Sequence, residues 1–160
     1  NNWPLLSKMV LIAVMFTGSC AGSTAGGLKQ IRIAVMLKSM KRMVKKLTHP
    51  RSVIPVKVDG KNIEEEQVSS IGIFCFAYFL IFGIAIILVS FDNYDFMTTF
   101  TAVLTAISNV GPAFGKAGPS GNFAFFSDFS KIVLSLCMLI GRLEIFPVLI
   151  MLNPKSWKRA

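Results

Sequence analysis

Long uncharged stretches alternate with short polar ones along the chain, and one uninterrupted stretch covers 68–91. It is apolar on every helical face, and a helix of this length spans about 30 Å of hydrocarbon. The polar run at 92–95 then ends it, and Asp95 is a suitable N-cap residue for a following helix. We therefore predict a membrane-crossing helix over 68–91 and a new helix that starts after Asp95.

Two further apolar segments follow, and they differ in length. The segment 96–108 is short for a crossing and stops at the sequence Asn-Val-Gly-Pro, whereas the apolar segment 132–152 is long enough to cross. Positive charge is concentrated before and after these three apolar segments, at 29–61 and at 153–160. Both basic stretches are therefore expected on the cytoplasmic side. Two crossings plus one re-entrant helix satisfy that expectation, while a short spanning helix over 96–108 remains the alternative.

The N-terminal part contains an interrupted helix pattern. Segment 3–16 is almost entirely apolar, 17–27 contains four glycines and no large side chain, and 28–47 resumes a helical pattern with basic residues towards its end. A glycine-rich run of this kind disfavours continuous helix. We predict a helix broken near the middle of the membrane. Close helix packing through the Gly-x-x-x-Gly spacing remains the alternative.

An internal repeat relates the two ends of the chain. A shift of 123 residues places 7–18 on 130–141 with six of twelve positions identical, including a Lys and a Gly. The chain then contains the inner helix of one unit (1–47) and a complete second unit (68–152) of outer helix, re-entrant helix, extended segment and inner helix. Tetrameric cation channels are built from such units, in which the short helix directs its partial negative charge at a cation. The predicted fold class is an all-α membrane protein with one and a half of four channel-like repeats.

Composition and charge support a membrane protein. Hydrophobic residues make up 53% of the 160 residues and charged residues 16%, which is too apolar for an ordinary soluble domain. The net charge of +9 is concentrated in the stretch 29–61, so 38–67 and 153–160 are predicted to be cytoplasmic. The chain begins with Asn and shows no signal-peptide pattern, so we expect a fragment of a longer protein.

Few residues are suited to covalent chemistry. His49 is the single histidine, and Cys20, Cys75 and Cys137 have no C-x-x-C spacing, so neither a zinc site, a disulfide framework nor a Ser-His-Asp triad is predicted. Arg142 and Glu144 lie in the middle of the last apolar segment, where a charge costs about 2.5–3.5 kcal/mol and must face protein or water. Membership of a buried ion pair is the alternative to a functional role, most clearly for Glu144.

The stretch that follows the short helix is a candidate ion site. Gly111 permits unusual backbone angles, and Pro112 disfavours helix at the residue before it, so we predict that 108–112 is extended. Free carbonyls in an extended segment are able to replace the hydration shell of potassium. An ordinary surface turn is the alternative.

Four sequence stretches, GSCAGSTAGGLKQIR, KRMVKKLTHPRSVIPVKVDG, NVGPAFG and MLIGRLEIFPVLIML, resemble the C-terminal part of Trk-type potassium uptake membrane subunits (TrkH/TrkG) in the Trk/Ktr/HKT superfamily. The resemblance covers essentially the whole chain. It implies a four-repeat pore of which this chain holds the inner helix of the third repeat and the whole fourth. It also implies that Asn109, Val110 and Gly111 form the fourth filter strand, with K+ bound at Asn109 and Val110.

The same resemblance implies a gate below the filter, made of an intramembrane loop and an arginine. Its residues are Gly18, Ser19, Cys20, Ala21, Gly22, Ser23, Thr24, Ala25, Gly26, Gly27 and Arg142. The family's loop often has the sequence STGGG, whereas this chain has Ser-Thr-Ala-Gly-Gly at 23–27, which we expect to stiffen the backbone slightly.

Partners and location are implied by the resemblance as well. They are a homodimer, a cytosolic nucleotide-binding regulatory subunit of the TrkA type, membrane lipid and the bacterial inner membrane, with no organic cofactor and no nucleic acid. Transport is either channel-like or coupled to a second ion as symport.

The sequence prediction divides the chain into segments with distinct roles. They are 1–47 (inner helix with the loop at 18–27), 48–67 (cytoplasmic loop), 68–91 (outer helix), 96–108 (pore helix), 109–113 (filter), 127–152 (inner helix) and 153–160 (cytoplasmic tail). The predicted function is potassium translocation without covalent chemistry. The alternatives are an integral membrane enzyme that uses Arg142 and Glu144, and an assembly subunit that docks a partner or anionic lipid through its basic helix at 38–46.

Overall fold

The computed structural model describes residues 3–18, 26–49, 55–58, 60–119 and 121–143. These residues are mostly helical, with one short antiparallel hairpin. The elements in chain order are α1 (Leu5–Thr17), α2 (Gln30–Thr48), β1 (Val56–Val58), β2 (Lys61–Ile63), α3 (Glu65–Val89), a 3-10 turn (Ser90–Asp92), α4 (Phe96–Ser108), a second 3-10 turn (Gly115–Ala117) and α5 (Asp128–Leu143).

Helix α4 is the centre of the molecule. It packs against α3, α5 and α1. Between Thr98 and Ser108 every residue of α4 except Phe100 is buried. On the α3 side, the Tyr78 and Ser108 hydroxyls are hydrogen-bonded at 3.0 Å. A short helix thus occupies the position that a core helix has in a larger bundle.

One helix among the described residues is long and apolar enough to cross a membrane, and it is α3 with its 3-10 extension, Glu65–Asp92. At about 1.5 Å per residue it exceeds the hydrocarbon thickness of a bilayer. Helices α1 and α4 are shorter and also apolar. Helix α5 is described as far as Leu143, and the remainder of the predicted inner helix at 127–152, with Glu144, lies outside the described residues.

The boundary between α1 and α2 has a backbone cause. Gly18 (φ +65°), Gly27 (φ +87°) and Lys29 (φ +59°) all have left-handed backbone conformations, which a right-handed helix cannot include. Helix α2 therefore begins at Gln30, two residues later than the hydrophobic pattern predicts. The interior of the glycine-rich stretch, residues 19–25, lies outside the described residues.

A short hairpin lies within the predicted cytoplasmic loop at 48–67. Strands β1 and β2 pair in antiparallel register, with Val56 opposite Ile63. The Lys38 side chain donates to the Lys57 carbonyl at 2.8 Å, and Arg42 makes two hydrogen bonds to the Glu65 carboxylate, at 2.5 and 2.9 Å. Helix α2, the hairpin and the start of α3 therefore form one connected unit at this end of the molecule.

Candidate functional site

Helix α4 begins and ends with specific contacts. Asp95 caps its N-terminus by accepting from the Thr98 backbone N–H at 3.0 Å and from the Thr98 hydroxyl at 2.6 Å. These hydrogen bonds favour the ionised form and lower the pKa of the Asp95 carboxyl. At the other end Asn109 has a left-handed conformation (φ 52°, ψ 42°), which stops the helix.

The chain that leaves α4 turns back along the same helix. Gly111 has φ +112°, a region that favours glycine, and Phe114 is extended. The predicted extended stretch at 108–112 is therefore shifted, because Ser108 is still helical and Asn109 is left-handed. The turn at Gly115–Ala117 then reaches the level of Thr98, near the start of α4.

Three threonine side chains of α4 bind this returning segment, and the sequence analysis did not identify them. The Thr105 hydroxyl accepts from Gly111 N–H at 2.9 Å, and the Thr101 hydroxyl accepts from Phe114 N–H at 2.9 Å. The Thr98 hydroxyl accepts from Lys116 N–H at 3.2 Å. The spacing Thr-x-x-Thr-x-x-x-Thr, which places all three on one helix face, was the signal available in the sequence. We call these residues the threonine ladder.

Glycine is required at position 115, where the returning segment passes Thr98. A Cβ atom at Gly115 would collide with the Thr98 hydroxyl oxygen. Gly115 also has φ +68°, so both space and backbone conformation exclude a side chain there. The segment is therefore fitted closely to α4 at this end.

The residues just before α4 are hydrogen-bonded to the residues just before α5, on one side of the molecule. The Asp92 carboxylate, just before α4, accepts from Ser127 N–H just before α5 at 2.9 Å. The Tyr94 hydroxyl donates to the Phe125 carbonyl at 2.6 Å. The chain thus enters through α4, returns along it, and starts α5 from the side on which α3 ended.

One described end of the predicted gate loop, Gly26–Gly27, lies against the C-terminus of α4. A Cβ atom at Gly26 would be 2.9 Å from the Gly141 carbonyl oxygen and 3.0 Å from the Ile107 carbonyl oxygen. The Cβ position of Gly27 is 3.7 Å from the Ser108 hydroxyl. A Cβ atom at Gly141 would collide with the Ile107 carbonyl oxygen. Backbone from three parts of the chain therefore meets next to Asn109, at the C-terminus of α4. The three parts are Gly26–Gly27, Gly141 and Ile107.

The remaining predicted gate residues are only partly described. Arg142 is exposed at the end of α5, next to Gly141, and so it lies near the described loop end at Gly26. The predicted loop residues Ser19, Cys20, Ala21, Gly22, Ser23, Thr24 and Ala25 lie outside the described residues.

A cavity of about 250 Å³ separates α1 from the returning segment. Trp3, Lys8 and Met15 line it from the α1 side, and Val110 and Phe114 line it from the other. Lys131, the residue that the internal repeat equates with Lys8, instead pairs with Asp128 at 3.2 Å. The two lysines therefore occupy different surroundings.

Comparisons with known proteins assign the chain to a family. Residues 1–159 match the TrkH family model, which describes a cation transport protein. The chain is 38% identical over 157 residues to the Trk system potassium uptake protein TrkH of Vibrio parahaemolyticus, and 34% identical over 157 residues to TrkG of Escherichia coli K12. Each match covers 98% of this chain and 32% of the relative.

A solved structure gives the same result for the fold. The crystal structure of the potassium transporter TrkH from Vibrio parahaemolyticus superposes with a TM-score of 0.85 and 38% identity, over 97% of this chain and 33% of that one. The chain spans about a third of the length of the relatives it matches. The chain belongs to the TrkH family of cation transport proteins.

Proposed function

We propose that this chain is part of a potassium-translocating membrane protein and supplies one filter strand, formed by Asn109, Val110 and Gly111. The observation that carries the proposal is the segment after α4, which leaves a buried helix C-terminus and returns along the same helix on the threonine ladder. The names of its relatives as potassium uptake proteins support potassium as the transported ion. Backbone carbonyls in such a segment are suitable ligands for K+, with Asn109 and Val110 as the expected contributors.

Helix α4 is re-entrant in this proposal. The support is the pair of contacts that joins Asp92 to Ser127 and Tyr94 to Phe125, because they place the entry and the exit of the excursion on one side. Helix C-termini carry partial negative charge, so a re-entrant α4 lowers the energy of a cation beside Asn109.

A gate formed by residues 18–27 and Arg142 lies below the filter in this proposal. Support comes from Gly26 and Gly141, which contact the carbonyl end of α4. The fixed charge of Arg142, one residue beyond Gly141, then opposes cation passage at the same level. The proposed gate controls access of the ion to the filter.

The cytoplasmic side carries the proposed partner surface. Helix α2 presents exposed apolar side chains beside basic ones, and these residues are Leu37, Met40, Lys41, Val44, Lys45 and Leu47. This combination suits a second copy of the chain, anionic lipid or a cytosolic regulatory subunit of the TrkA type. Residues 38–67 and 153–160 are cytoplasmic in this proposal, and the membrane is the bacterial inner membrane.

Two measurements on the full-length protein test the proposal. Potassium flux into liposomes is expected for a transport subunit and for neither a membrane enzyme nor an assembly subunit. Single cysteines in place of Asp92 and of Pro119, the exposed residue next to buried Gly118, are both expected to react with an impermeant reagent from outside. Labelling of the two positions from opposite sides of the membrane contradicts the re-entrant helix, and absence of flux contradicts the transport function.

A further inference from the structure

We propose that Thr105, Thr101 and Thr98 are positioning residues for ion selectivity, because their hydroxyls fix the peptide orientations that point carbonyl groups of the returning segment away from α4. The inference rests on the proposed function and deepens it. It concerns how the geometry of the ion site is set, not which residues contact the ion.

The argument starts from the planarity of the peptide bond. Among the described residues all peptide bonds are trans, so the carbonyl that precedes each N–H points in the opposite direction. Gly111 N–H points at Thr105, and the Val110 carbonyl therefore points away from α4. By the same reasoning the bonds of Phe114 and Lys116 turn the carbonyls of the residues before them, Ala113 and Gly115, away from α4.

The carbonyls of the two successive residues Asn109 and Val110 both point away from α4. A regular β-strand does not allow this arrangement. The N–H of Val110 bonds to the Thr105 carbonyl at 3.2 Å, so the Asn109 carbonyl also points away from α4. In an extended strand, neighbouring carbonyls alternate in direction. The backbone angles of Val110 join these two peptide planes, and Val110 lies between two residues with positive φ, Asn109 and Gly111. Two adjacent carbonyls on one side are what a dehydrated cation requires.

Two of the three ladder hydroxyls, those of Thr98 and Thr101, are themselves fixed by hydrogen bonds that they donate. The Thr98 hydroxyl donates its proton to Asp95 at 2.6 Å, and the Thr101 hydroxyl donates to the Met97 carbonyl at 2.7 Å. The three threonine residues are at most 2% exposed. Water therefore has little access to them, and loss of one of these hydrogen bonds costs free energy. Branching at Cβ further restricts their rotamers.

The chain offers a matched control on the same helix. Thr99 is 4% exposed, and its hydroxyl has no hydrogen-bond partner within the described part of the chain. Threonine-to-valine substitution removes the same hydroxyl and keeps the same shape at either position. An effect at Thr105 and Thr101 that is absent at Thr99 therefore isolates the bond to the returning segment.

The experiment measures the ratio of potassium to sodium flux for the full-length protein in liposomes. Thr105→Val and Thr101→Val are expected to lower this ratio by about fivefold or more, because each removes the acceptor that orients a backbone N–H of the returning segment. Thr105→Ser, which keeps the hydroxyl, and Thr99→Val are expected to retain the wild-type ratio. Total flux is recorded separately, because loss of folded protein lowers flux and leaves the ratio unchanged.

Two results overturn the inference. One is a wild-type ratio in well-assembled Thr105→Val and Thr101→Val. The other is an equal loss of selectivity in Thr105→Ser, which assigns the effect to packing of the methyl group. If Thr105→Val does not assemble, the inference is tested by the flux ratios of Thr101→Val and Thr105→Ser. A wild-type ratio in Thr101→Val, or a lowered ratio in Thr105→Ser, then overturns it. Failure of the proposed function is recognised separately, because wild-type protein then carries no potassium flux.

Discussion

The side-chain amide of Asn109 donates a hydrogen bond to the backbone carbonyl of Met138, with 3.0 Å between nitrogen and oxygen. This bond joins the C-terminus of α4 to α5 at the residue where the chain leaves the helix. It also lies one turn of α5 before Arg142, so the proposed filter and the proposed gate share a point of support.

Substitutions at Asn109 should separate this bond from the backbone conformation. Asn109→Gly removes the amide and keeps the left-handed conformation, so we expect a loss of about 0.5–1.5 kcal/mol in unfolding free energy. Asn109→Ala should cost about 1–2 kcal/mol more, because a Cβ atom is unfavourable at φ 52°. Thermal unfolding of the full-length protein in detergent measures both, and equal stability of the two variants would contradict the backbone argument.

Alanine at Gly141 should disrupt the contact between α5 and α4. Its Cβ atom meets the Ile107 carbonyl oxygen, a backbone atom that does not move independently, so we expect a loss of about 1–3 kcal/mol or a shift of α5. Gly83→Ala in α3 is the control, because no atom of the described residues, apart from the backbone of its own helix and its chain neighbours, lies within 4 Å of its Cβ position. Comparable melting temperatures for the two variants would show that α5 does not pack on α4 in this way.

The N-terminal cap of α4 should be sensitive to acid. The pKa of Asp95 is lowered by the hydrogen bonds from Thr98, so ionised Asp95 stabilises the fold above its unfolded-state pKa of about 3.9. That contribution is lost as the pH falls through the folded-state pKa. Melting temperatures measured between about pH 6 and about pH 3 should fall less steeply for Asp95→Asn than for wild type. An equal fall of melting temperature with pH in the two proteins would show that Asp95 does not cause the acid sensitivity.

Removal of the positive charge at Arg142 should raise basal potassium flux. At an effective dielectric constant of about 20, one charge several ångströms from the ion path changes flux by about tenfold. We expect this increase for Arg142→Ala, and also for deletion of residues 22–25, with an unchanged ratio of potassium to sodium flux. Arg142→Lys keeps the charge and serves as the control. Folded Arg142→Ala protein with wild-type flux would refute the gating role, and lost assembly would favour a structural ion pair.

The proposed partner surface of α2 should depend on its exposed lysines, Lys41 and Lys45. Reversal of Lys41 and Lys45 to Glu is expected to weaken binding of a TrkA-type subunit by about tenfold or more, since opposite charge at such a surface opposes association. Arg42 is unsuitable for this test because it binds Glu65 in two hydrogen bonds. The double exchange Arg42→Glu with Glu65→Arg, which preserves that pair, is the matched control. Unchanged binding by the lysine variant would remove α2 from the interface.

The sequence predicts the bounds of α4 because local signals determine them. Asp95 is an N-cap residue by its chemistry, and the sequence after Ser108 stops a helix. The hairpin was missed, although the Asp-Gly pair at 59–60 between two Val- and Ile-containing runs is a common hairpin signal. The basic residues of that stretch indicate a cytoplasmic loop, a pattern that does not depend on its secondary structure.

Contacts between distant segments were beyond sequence reasoning. Hydrophobic periodicity says that Gly26 and Gly141 lie in or near apolar helices, but it does not say that both meet the Ile107 carbonyl. The role of the threonine ladder was equally hidden, because threonine in a short apolar helix has several ordinary explanations, including hydrogen bonding to the preceding turn. The direction of the returning chain decides between them, and that direction is a property of the tertiary structure.

The bonds of the threonine ladder join residues separated by 6, 13 and 18 positions. Contacts this local form early in folding, since closing a short loop costs little chain entropy. The returning segment is therefore able to acquire its shape while the polypeptide is still being made, before it meets strands from other parts of the protein. In the proposed ion path, this segment then joins the other parts of the protein with its shape already set by hydrogen bonds to the helix that precedes it.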